Sequence, residues 1–83
     1  MRLVAHLPHP DFKITLYAWN GKYLIKIETA MYEQTYKVKE FDVANEEEIK
    51  KLLDKTFMDA VAQTFNLMDY TMNEAFERIN DNT

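Results

Sequence analysis

Between two alternating stretches, residues 12–19 and 22–29, stands Asn20-Gly21, the dipeptide that best tolerates the positive φ angles of a two-residue type I′ hairpin turn. A turn that short leaves no freedom of register. Trp19 must face Lys22, Ala18 Tyr23, Leu16 Ile25, Ile14 Ile27 and Phe12 Thr29. One face of the hairpin is then almost wholly apolar. A slip of one residue would turn every side chain to the other side, so the agreement of turn chemistry with pattern is an independent check.

A third alternating run, residues 34–41, places Tyr36 and Val38 so as to extend the same apolar face. A tight turn at Met31-Tyr32 would pair Thr29 with Gln34, Ile27 with Tyr36 and Ile25 with Val38. The result is a three-stranded antiparallel meander over residues 11–42, preceded by an extended leader, residues 1–10. Pro8 and Pro10 hold that leader out of helical conformation, as an edge strand or an ordered arm.

The period changes after residue 44. Asn45 can cap a helix whose first turn holds Glu46, Glu47 and Glu48, with Glu48 in the capping-box position. Ile49, Leu52, Leu53, Phe57, Ala60, Val61 and Phe65 then recur at three- and four-residue spacing, the stripe of an amphipathic helix. Such a helix matches the strands in length, about 30 Å for 20 residues, and can cover one sheet face. Met68, Met72, Ala75, Phe76 and Ile79 continue the stripe. Asn66 as a stop, and Thr71 with Glu74 as a second capping box, predict a break near residues 66–71 and a short final helix. The expected fold is α+β: a three-stranded meander packed on a long amphipathic helix, with a short terminal helical segment. It forms one domain over residues 1–83, its helical half spanning residues 45–80.

Composition removes most catalytic classes. The chain has no Cys, no Ser and a single Gly. Disulfide frameworks, thiol and serine nucleophiles, cysteine metal sites and glycine-rich phosphate loops are therefore excluded. His6 and His9 have a two-histidine spacing, but Pro8 keeps them off a helix and two ligands do not make a site. Glu46, Glu47 and Glu48 point about 100° apart on a helix and cannot converge on one atom. No enzyme, cofactor or metal centre is expected. No apolar run approaches the roughly 20 residues that span a bilayer, and a cytoplasmic location is the default expectation.

Surfaces are more informative. The net charge is −4, yet residues 1–41 carry +2 and residues 42–83 carry −6. The register places Lys13, Tyr17, Trp19, Lys22, Leu24, Lys26, Lys37, Lys39 and Phe41 on the sheet face away from the helix, with the four apolar or aromatic residues toward one end. Such a patch on a small protein marks a contact surface. Two partners fit it. The first is protein, with lysine stems over apolar area; the second is single-stranded nucleic acid, with rings on bases and lysines on phosphates. Met68, Met72, Phe76 and Ile79 also need cover beyond what one helix on one sheet supplies, which makes them candidate dimer contacts. The expectation is a non-enzymatic protein-interaction module that forms a homodimer, with nucleic-acid binding as the alternative. A monomer with the leader across the open face is the remaining arrangement.

Overall fold

Asn20 and Gly21 both hold positive φ, 54° and 73°, as the type I′ turn demands. The computed structural model describes residues 1–81. Its chain divides into two compact units, Met1–Lys50 and Lys51–Thr83.

The first unit is built on four strands, β1 (Arg2–Leu7), β2 (Lys13–Trp19), β3 (Lys22–Glu28) and β4 (Glu33–Lys39), in one antiparallel sheet of order β1-β2-β3-β4. The meander order is as expected, but the strand count is four, not three. The leader supplies the extra strand: Arg2 pairs with Ala18, Leu3 with Tyr17, Ala5 with Leu16, His6 with Thr15 and Leu7 with Ile14. Of the two alternatives for the leader, edge strand or arm, it is the strand that forms; a bulge between Leu3 and Ala5 interrupts its alternation, so periodicity alone did not choose between them.

The β2–β3 register follows the Asn-Gly turn, with Trp19 opposite Lys22, Leu16 opposite Ile25 and Ile14 opposite Ile27. Phe12 lies before β2 rather than opposite Thr29, and its ring stacks on His9 at 5.1 Å. Ile14, Leu16, Ala18, Ile25 and Ile27 are buried on one face. At β3–β4 the register differs from expectation by two residues. Ile27 faces Gln34, Ile25 faces Tyr36 and Tyr23 faces Val38. The chain reverses at Ala30-Met31 because Thr29 closes the turn: its Oγ1 accepts from the Tyr32 N–H at 3.1 Å, and its own N–H donates to the Tyr32 carbonyl at 2.8 Å. A two-residue shift preserves the parity of the pleat, so each β4 side chain keeps its expected face. Gln34 is buried there and accepts from the Tyr36 hydroxyl.

A 3₁₀ turn, Glu40–Asp42, follows β4. It lies beside the first hairpin, since the Glu40 N–H donates to the Gly21 carbonyl at 3.1 Å. Phe41 therefore lies beyond the last strand, not on it. Next comes α1 (Glu46–Leu52), capped by Asn45 as expected: the Glu48 N–H donates to Asn45 Oδ1 at 3.1 Å, while the Glu48 carboxylate accepts from the N–H of Ala44, one residue before the cap, rather than from that of Asn45 itself. Ile49 is fully buried, and Arg2 meets Glu46 at 3.7 Å.

The second unit consists mainly of α2 (Lys55–Asp81), 27 residues without interruption and about 40 Å long. The break in the helical half falls at residues 53–54 rather than 66–71, so the short helix precedes the long one. Asp54 explains the position. Its Oδ1 accepts from the Phe57 N–H at 2.9 Å and its carbonyl from the Met58 N–H at 2.9 Å, the bonds of an N-cap. Thr71 caps nothing. Its hydroxyl donates to the Leu67 carbonyl at 2.7 Å, as that of Thr64 does to the Ala60 carbonyl at 2.8 Å, a bonding mode that keeps a hydroxyl residue inside a helix.

Candidate interaction surfaces

Strand pairing arranges the Tyr17 side of the sheet as a lattice. One row runs Lys13–Glu28–Glu33, the next His6–Thr15–Lys26–Thr35, the third Leu3–Tyr17–Leu24–Lys37, and the row nearest the Asn-Gly turn Trp19–Lys22–Lys39. All five expected lysines lie on this side. Leu3 and Glu33 join them unforeseen: Leu3 belonged to the unassigned leader, and Glu33 stands one residue before the expected start of its strand. Extending the alternation of residues 34–41 back by one position would have found Glu33.

Charge divides this surface. Lys26 Nζ lies 3.0 Å from Glu28 and 3.4 Å from Glu33, while Lys13 reaches Glu28 at 3.9 Å. The hydrogen bond from Lys26 holds the Glu28 carboxyl below its ordinary value, and the same bond raises the Lys26 ammonium. That end is electrically balanced. Toward the turn, Lys22, Lys37 and Lys39 meet no carboxylate among the described ion pairs.

The apolar residues differ in access. Trp19 is 51% exposed and Phe41 fully exposed, whereas Leu24 is only 6% exposed. The expectation of an open Leu24 is thus corrected. It sits on a central strand with Tyr17 and Lys37 on its flanks, whose long side chains can shelter a leucine. Tyr17 is half-buried.

On α2, Met58, Val61, Phe65, Met68, Met72, Ala75 and Ile79 fall at alternating steps of three and four, the a/d pattern of a coiled-coil seam. Met58, Val61 and Phe65 are buried. Beyond them Met68 and Ala75 are half-buried, and Met72, Ile79 and the adjacent Phe76 are exposed, the last two at 64% and 57%. Asp59, Glu74, Glu77 and Asp81 lie off the seam by their positions in the heptad; Asp69 and Arg78 flank it.

His6 is an exposed strand residue, while His9 Nδ1 accepts from the Asp11 N–H at 3.1 Å. Among the described residues no three His, Asp or Glu side chains are placed to share a metal ion. A shallow depression of about 220 Å³ lies at the β3–β4 turn, lined by residues 28–33, and its two carboxylates, Glu28 and Glu33, are held by Lys26. No described helix is long and apolar enough to cross a membrane. No protein-family model, curated protein or solved structure matches the chain.

Proposed function

We propose that this chain is a small, non-enzymatic protein-interaction module that works as a homodimer, its copies pairing along the C-terminal half of α2. The observation that carries the reading is the continuation of the a/d seam past Phe65, where full burial ends but the pattern does not. A helix in isolation gains nothing from Met72, Phe76 and Ile79 in water; a second apolar stripe removes them from it at about 25 cal/mol per Å².

This half of the helix fits a second copy of itself running the opposite way. Centred on residues 73–74, antiparallel pairing places Met68 opposite Ile79 of the second copy and Met72 opposite Ala75, large against small. The already buried seam residues 58–65 then leave the pair at opposite ends. Parallel pairing would instead bring both buried segments to one end and set Ala75 against itself, leaving a gap. Two helical stretches each about 24 Å long, side by side, bury on the order of 1,000 Å², the lower range of specific interfaces.

Sedimentation equilibrium tests this. The expected mass is twice the 9.9 kDa of the chain. Met72→Glu combined with Ile79→Glu returns the monomer with helicity retained by circular dichroism, while Tyr70→Glu, on the opposite side of α2, leaves the dimer intact. A wild-type chain that stays monomeric at concentrations of about 100 μM, where even weak specific dimers form, overturns the reading.

A further inference from the structure

We propose that the Asn-Gly end of the Tyr17 sheet face binds single-stranded nucleic acid, a capacity separate from pairing through α2. Three features of the lattice converge on this ligand. Tyr17 and Trp19 are alternate residues on one strand, so both rings stand on the same side about 7 Å apart. Their rows end in Lys37 and in Lys22–Lys39, which sets an aromatic column on β2 beside a basic column on β3 and β4. These three lysines are free of carboxylate partners among the described ion pairs, in contrast to Lys13 and Lys26.

The chemistry of the face selects among anions. An acidic peptide would satisfy the ammonium groups but leave Trp19 half in water, because carboxylate side chains offer nothing to stack. Duplex nucleic acid satisfies the lysines but hides its base faces inside the helix. An unpaired strand presents both groups, flat bases for Tyr17 and Trp19 and phosphates for Lys22, Lys37 and Lys39. Phe41, fully exposed in the 3₁₀ turn beside Gly21, offers a third ring at the border. Glu40 and Asp42 in that turn and the Glu28–Glu33 end of the sheet bound the basic column on both sides. The footprint is therefore short, a few nucleotides, and reads no sequence.

Trp19 is the only tryptophan, so its emission reports on the site directly. The full chain is titrated with an oligothymidine of about eight nucleotides, within the range of single-strand footprints, following Trp19 quenching and the anisotropy of a labelled strand. Neutralising three phosphates gives a slope near −2 in log K against log salt, so affinity falls about 20-fold between about 50 and about 200 mM salt. Lys22→Gln with Lys39→Gln weakens binding by about tenfold or more at the lower salt, whereas Lys13→Gln at the balanced end changes it by less than about twofold. Circular dichroism checks that each variant folds, and Lys37→Gln serves in place of any that does not. Absence of Trp19 quenching up to about 100 μM strand at low salt overturns the proposal. So does equal binding of polyglutamate, which would assign the face to acidic proteins, or equal binding of duplex.

Discussion

Gly21 shows how much one residue can decide. Its φ of 73° lies in the left-handed region, yet a Cβ placed there would meet nothing within 4 Å. Substitution by alanine therefore isolates backbone strain from packing. Gly21→Ala should lower stability by about 1–2 kcal/mol, and Gly21→Asn by less, since asparagine tolerates that region; urea denaturation followed by circular dichroism measures both. At the other end of the hairpin, Glu28 gives a pH-dependent counterpart. Its carboxyl is held below its ordinary value, chiefly by the Lys26 hydrogen bond, so the folded chain binds that proton less readily than the unfolded chain. The stabilisation is present above the ordinary value of about 4.3 and is lost as pH falls through the lower folded value. The urea midpoint of the wild type should decline over that window, while Glu28→Gln flattens the decline without moving the midpoint at pH 9 relative to pH 7.

Among the elements, the two helices test how local capping competes with pattern. Asp54→Ala removes the acceptor for the Phe57 N–H and should cost about 1 kcal/mol. Thr71→Ala removes only an intrahelical back-bond and should change stability by a few tenths of a kcal/mol at most, in the stabilising direction. Equal losses at the two positions would mean that α2 breaks where its sequence suggests. The same comparison shows what a sequence makes legible. The β2–β3 pairing was readable because Asn20-Gly21 admits one register, and the sheet face of each β4 residue survived a misplaced turn because the error was an even number. The edge strand β1 was obscured by the bulge at Val4. The helix break was misassigned because Thr71 with Glu74 looks like a capping box as readily as Asp54 looks like an exposed acid; hydroxyl bonding to the Leu67 carbonyl appears only in three dimensions. Of the interaction surfaces, the five lysines, Tyr17 and Trp19 were legible from alternation, Phe41 was not because the strand ends before it in a 3₁₀ turn, and the split between a balanced and an unbalanced end required Glu33 to enter the sheet.

For the whole molecule, charge asymmetry gives the two proposed associations opposite responses to salt. The C-terminal half of α2 carries Asp69, Glu74, Glu77 and Asp81 against Arg78, a net −3, so two copies repel and added salt should tighten their pairing. Strand binding by the lysine column should weaken over the same range. Sedimentation equilibrium and anisotropy, each at about 50 and about 200 mM salt, should therefore trend in contrary directions; parallel trends would mean that one surface serves both purposes. The sheet order makes β1 and β4 its borders, and each is spoiled for further hydrogen bonding in its own manner. The kink at Val4 throws one border out of step, and Glu33, Lys37 and Lys39 stud the other with charge. A chain so finished can gather at its helices without its sheets growing into fibrils.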